Sequence, residues 1–89
     1  PKDIAEAIGW YDKISPDLAN SFRLRLQQAF AKIREQPSVY AVMFDDVRVL
    51  RLTRFPYLVH YRLSAQTPLV LAVFHSASSP EKWRERAKQ

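Results

Sequence analysis

The chain changes its hydrophobic period once. Through residue 36 the apolar positions recur every three or four residues, and after residue 46 they gather into short alternating or continuous runs. That order reads as helices followed by strands. Ile4, Ala7, Ile8 and Tyr11 form one stripe, and Leu18, Phe22, Leu26, Ala29, Phe30 and Ile33 form another. The first helix is expected from an N-cap at Asp3 to about Lys13. The second is expected from Ser15-Pro16 to about Gln36, stopping before Pro37, because Ser accepts from a free first-turn N–H and Pro has none to lose. The short connection favours an antiparallel helical hairpin. Trp10 and Tyr11 are expected to pack at its interface, and Gly9 to weaken the helix while admitting a close neighbour.

Residues 37–46 read as a linker, opened by Pro37-Ser38 and closed by Asp45-Asp46. Its Val39, Tyr40, Val42, Met43 and Phe44 are too apolar for a free loop and are expected to cover the core or a partner. Three strands follow, over residues 47–54, 57–64 and 69–75. The middle run is the most apolar and suits a central strand buried on both faces. Pro56 marks a turn, since proline cannot donate to a ladder. Ser79-Pro80 begins a last helix, Glu81 to about Ala87, which Trp83 is expected to anchor on the sheet. The fold class is therefore α+β, one domain over residues 1–89, with a two-helix hairpin on an antiparallel meander and a short C-terminal helix.

Charge changes the picture in the second half. The net formal charge is +5; residues 1–36 carry six basic and five acidic groups, residues 37–79 four and two, and residues 80–89 four and two. A basic surplus favours nucleic acid, an acidic protein partner or an anionic surface. There is no cysteine, so disulfides and thiolate catalysis are excluded. No apolar run approaches a membrane span and no leader pattern opens the chain, which gives the expectation of a cytoplasmic protein.

The candidate chemistry is small. His60 and His75 are the only histidines, there is no glycine-rich loop, and the carboxylates are scattered, so no metal or other cofactor is expected. Arg48, Arg51, Arg54, Arg62 and His75 fall on the meander. Guanidinium groups bind phosphate, and arginine with an imidazole could cleave RNA through its 2′-hydroxyl. The same arginines could equally be solvated residues that keep strand edges from aggregating. His75 ends a strand beside a polar loop and suits proton transfer, whereas His60 lies mid-strand and suits a structural role.

The ordered set of residues resembles the RelE/ParE toxin superfamily of bacterial toxin–antitoxin systems. The resemblance is carried by Ile4-Ala5-Glu6-Ala7 with Trp10-Tyr11, Phe22 to Phe30 with Ile33 and Pro37, and Arg48 with Leu52. It continues through Phe55-Pro56-Tyr57, Val59, Tyr61-Arg62, Val70 to His75, Pro80 and Trp83. Members usually begin with a strand before the first helix, so the resemblance implies a sheet here of three strands without that first one. It implies a toxin and a cognate antitoxin partner, in a plasmid-stabilisation setting, as a heteromeric complex or a homo-oligomer. RelE-like members cut messenger RNA on the ribosome; ParE-like members inhibit DNA gyrase by protein contact. The nuclease type usually has an arginine where Phe55-Pro56-Tyr57 stands, and basic residues where Ser76-Ala77-Ser78-Ser79 stands. The resemblance therefore leans to the ParE-like branch, with Arg48, Arg54, Trp83, Arg84 and Arg86 as the target-binding surface. The alternatives are a ribosome-dependent endoribonuclease using Arg51, Arg62 and His75, and a degenerate member that only binds antitoxin.

Overall fold

A computed structural model describes residues 2–88. Helix α1 spans Lys2–Ile14 and α2 spans Pro16–Glu35. Strands β1 (Val42–Phe44), β2 (Val47–Arg51), β3 (Tyr57–Ser64) and β4 (Thr67–His75) follow, then helix α3 (Pro80–Ala87). The sheet is antiparallel in the order β1-β2-β3-β4.

Both apolar stripes of the hairpin do what their spacing requires. Phe22, Leu26, Ala29 and Ile33 of α2 and Ala7 of α1 are buried against Leu52, Phe55, Val59, Tyr61 and Val73, with Ile4, Ile8, Tyr11, Leu18 and Phe30 packed around them. Ser15 caps α2, its hydroxyl accepting from Leu18 N–H at 3.4 Å, and Ser79 caps α3 by the same bond to Lys82 N–H at 3.4 Å. The Phe55-Pro56-Tyr57 turn drives two rings into this core. Tyr11, Phe22, Phe55 and Tyr57 form a cluster with centroids 5.0–6.2 Å apart, mostly edge to face, the geometry the aromatic quadrupole prefers.

Several expectations are corrected. The sheet has four strands, not three, because part of the expected linker pairs with β2 as strand β1 (Phe44 opposite Val47), turning through Asp45-Asp46 with Asp45 at φ 48°. The rest of that linker is fastened by side chains: Arg48 donates to the Ser38 and Tyr40 carbonyls at 3.1 and 2.7 Å, and the Tyr61 hydroxyl donates to the Pro37 carbonyl. Strand β2 ends at Arg51 rather than Arg54, since Arg54 takes a left-handed φ of 71° and Leu52 and Phe55 turn into the helix-facing core. Strand β4 begins at Thr67, two positions early, across a two-residue turn of Ala65 and Gln66. Asp3 is not a cap; it lies inside α1 and its carboxylate accepts from Val73 N–H across the fold. Trp10 is 61% exposed rather than packed, and a Cβ at Gly9 would meet nothing within 4 Å.

The sheet also has a second buried face. Val47, His60, Ala72 and Phe74 are buried but lie outside the helix-facing cluster. Helix α3 packs on this face, with the Trp83 ring 5.4 Å from His60 and the Arg86 guanidinium 5.3 Å from the Phe74 centroid. Trp83 thus anchors the last helix as its isolated position in a charged segment implies.

Candidate functional site

Register decides which of the candidate residues can meet. Arg51 stands opposite Leu58, and His75 stands opposite Tyr57. Leu58 and Tyr57 are neighbours on β3, so their side chains leave opposite faces of the sheet. His75 therefore lies on the helix-facing side, its ring 5.3 Å from that of Tyr57, and Arg51 lies on the other. Arg62 shares the face of Leu58 four residues further along β3, roughly 13 Å away at the rise of a strand. Its guanidinium pairs with Asp46 at 3.2 Å, which fixes the turn before β2. The set Arg51, Arg62 and His75 is thus split between two faces and not gathered around one reacting point.

The set Arg48, Arg54, Trp83, Arg84 and Arg86 is divided by role. Arg48 is spent on main-chain carbonyls of the linker. Arg86 donates to the Leu71 carbonyl at 3.2 Å and pairs with Asp3 at 3.4 Å. Trp83 is half-buried against His60. Arg54 and Arg84 remain exposed; among the described residues neither makes an ion pair, and Arg84 lies 5.8 Å over the Phe44 ring. Two arginines that differ little in sequence context are therefore structural, and two are free to meet a partner.

His75 opens onto a cleft of about 430 Å³ between α1, the end of β4 and α3, shared with Lys2, Glu6, Trp10, Tyr57 and Lys82. The His75 Nδ1 accepts from Ala77 N–H at 3.0 Å, which places the ring proton on Nε2. Burial raises Tyr57 above the ordinary phenol value, so its hydroxyl serves as a hydrogen-bond donor and not as a base at neutral pH. The Tyr11 hydroxyl is raised by burial and by Tyr57, and Tyr61 by burial with Arg48 opposing. His60 is pushed down to about 4 by burial and stays neutral. Among the described residues no three His, Asp or Glu side chains come together as a metal ligand set, and no helix is long and apolar enough to cross a membrane.

The order of elements, two helices then an antiparallel meander with its aromatic turn, coincides with a family match over residues 2–80 to the ParE toxin of the type II toxin–antitoxin system parDE. The chain belongs to the ParE toxin family. The match runs from the first residue of α1 to the first of α3. Toxin ParE2 of Mycobacterium tuberculosis, in strains CDC 1551 / Oshkosh and ATCC 25618 / H37Rv, is 29% identical over 79 residues, which cover 88% of this chain and 75% of the relative. No solved structure matches. Membership in this ParE family implies an antitoxin partner. The rings of Phe55 and Tyr57, from the motif that carried the resemblance, pack in the core that holds the sheet on the hairpin.

Sequence reasoning missed Asp3 and Lys82 as part of the cleft. Asp3 looked like a helix cap because a first-turn carboxylate serves that role in most helices. Lys82 entered the sequence reading only through the basic count of residues 80–89. Only the packing of α1 and α3 against the same end of β4 brings them together.

Proposed function

We propose that this ParE-family toxin acts by protein–protein contact, inhibiting DNA gyrase, and is neutralised by a cognate antitoxin. The observation that carries the choice of mechanism is the separation of His75 from Arg51 and Arg62 across the sheet. Ribonuclease chemistry needs a proton-transfer group and a phosphate-stabilising guanidinium within about one hydrogen bond of the same phosphate. Opposite faces of a sheet do not supply that. A docking mechanism needs only exposed charge and apolar surface; Arg54 and Arg84 supply the first, and the exposed Val42 and Met43 of β1 the second.

The test is a gyrase supercoiling assay with purified protein, run beside a translating extract in which message integrity is followed. Loss of supercoiling with intact message is the expected result. Intact supercoiling with cut message would return the assignment to ribonuclease action. No effect in either assay, with antitoxin binding retained, would leave a binding-only member.

A further inference from the structure

Arg51, which its register separates from His75, shares a face of the sheet with helix α3. It stands opposite Leu58, and Leu58 stands opposite Phe74, the ring beneath Lys82 and Arg86 of α3. Val49, two positions earlier on β2, stands opposite His60, which packs on Trp83 of α3. Side chains two apart on a strand leave the same face, so Val49 and Arg51 both lie on the α3 side. Val47 precedes them there and pairs with Phe44 of β1, over whose ring the Arg84 guanidinium lies at 5.8 Å. Helix α3 packs mainly on β4, at the far side of this face. Between α3 and the β1 edge there remains a strip of Phe44, Val49 and Leu58, each half-buried. Arg84 stands at one end of it and Arg51 at the other, roughly 13 Å along β2 at the rise of a strand. Both arginines are exposed, and neither has an ion pair among the described residues. Val42 and Met43 extend the apolar surface onto the sheet edge, at 50% and 40% exposure.

We propose that this strip is a docking surface for an amphipathic helix of a protein partner, one whose apolar stripe carries a carboxylate at each end. The stripe lies on Phe44, Val49 and Leu58, and the carboxylates meet Arg84 and Arg51, whose planar guanidinium groups bind them by paired hydrogen bonds. Helices that dock in this way present anchors from i to i+7, about 10.5 Å, and two long arginine side chains close the remaining distance. Charge selects the occupant. Asp46 is held by Arg62 at 3.2 Å and Glu85 by Lys88 at 3.7 Å. Asp45 and Glu81 have no ion pair among the described residues, but they sit in the β1–β2 turn and the first turn of α3, not on β2 or β3 between the two arginines. A second copy of this chain would bring its own net +5, whereas an acidic helix brings the complementary sign. A nucleic acid would offer phosphates to both arginines but no apolar stripe for the residues between them. The inference rests on action by protein contact and not on gyrase being the target.

The test uses two labelled, end-blocked peptides of about 18 residues, long enough to hold a helix in water. Both carry one leucine stripe and the same two glutamates. In the first the glutamates flank the stripe about two turns apart; in the second they lie on the opposite side of the helix. Binding is followed by anisotropy and by the amide resonances of the protein. The first peptide is expected to bind and to move amides of β1, β2 and α3, with its isomer about fivefold weaker or worse. Arg51→Ala and Arg84→Ala should each weaken the first peptide about fivefold, and Arg23→Ala, an exposed arginine on α2, should leave it unchanged. No binding of either peptide, equal binding of the two, indifference to Arg51→Ala and Arg84→Ala, or amide changes confined to α1 and α2 would overturn the proposal. A DNA duplex that binds more tightly than the first peptide, with the same dependence on both arginines, would make the occupant a nucleic acid and overturn it as well. Loss of supercoiling beside absent peptide binding removes this surface alone; intact supercoiling beside peptide binding removes gyrase alone.

Discussion

The imidazole of His60 lies 5.4 Å from the indole of Trp83, and neither His60 Nε2 nor Trp83 Nε1 has a hydrogen-bond partner among the described residues. Phe74 closes the pocket at 5.3 Å, Lys82 and Arg86 lie over the Phe74 ring, and the carboxylates of Asp46 and Asp3 are already engaged by Arg62 and Arg86. An imidazolium there would have no uncommitted counter-ion. The pair therefore works as apolar packing between β3 and α3, with neutral imidazole as the condition.

Acid should loosen this contact. Burial lowers His60 to about 4, from an ordinary histidine value near 6.5 in the unfolded chain. Above 6.5 both states are neutral and the full stability is present; as pH falls through the window toward 4, the unfolded chain binds the proton first and stability declines. The loss across that window is on the order of 3 kcal/mol at most. Urea unfolding at pH 7, 5.5 and 4.5 checks this, and His60→Leu should remove its share of the pH slope.

Gly9 sits inside α1 with open space around its missing Cβ. Alanine there restricts the unfolded chain and improves helix propensity without a clash. Gly9→Ala should raise stability by roughly 0.5–1 kcal/mol. A fall in stability on thermal or denaturant unfolding would mean that α1 tolerates less than its surroundings indicate.

The β3–β4 hairpin turns through Ala65 and Gln66, both at positive φ, 51° and 69°. Such two-residue turns match the right-handed twist of the strands, but residues other than Gly, Asn and Asp are strained in them. Replacing the pair by Asn-Gly should raise stability by about 1 kcal/mol and leave the register from Ser64–Thr67 onward unchanged. Denaturant midpoints of the two hairpin sequences, with amide spectra to confirm register, decide it.

The two classes of arginine should separate by experiment. Arg54→Glu and Arg84→Glu remove exposed, unpaired charges, so each should keep stability within about 0.5 kcal/mol and weaken gyrase inhibition. Arg48→Met should instead lower stability by roughly 1.5–3 kcal/mol, because it abandons two linker carbonyls held by charge-assisted bonds. Equal loss of inhibition in all three, with no change in stability for Arg48→Met, would place the target on a different surface.

Much of the fold was legible from local pattern. The stripes of α1 and α2, the Ser15 and Ser79 caps, and the central, two-sided burial of β3 all follow from spacing and side-chain chemistry along the chain. Strand β1 was not legible, because three apolar residues in a proline-led segment look the same whether or not a partner strand lies beside them. Trp10 was misread for a related reason: a bulky aromatic beside an apolar stripe is usually core, and only the place of α1 on the sheet leaves this one outside.

The sequence by itself determined the order of the helices and the last three strands, the caps of α2 and α3 and the superfamily to which the chain is similar, because those rest on residues close along the chain. Tertiary structure decided which arginines are free, that His75 and Arg51 face opposite ways, and that Asp3 reaches Arg86 across 83 positions. These depend on strand register and on helices packing at one sheet edge. A shift of one residue in register turns every side chain to the other face, and local pattern carries no record of that choice.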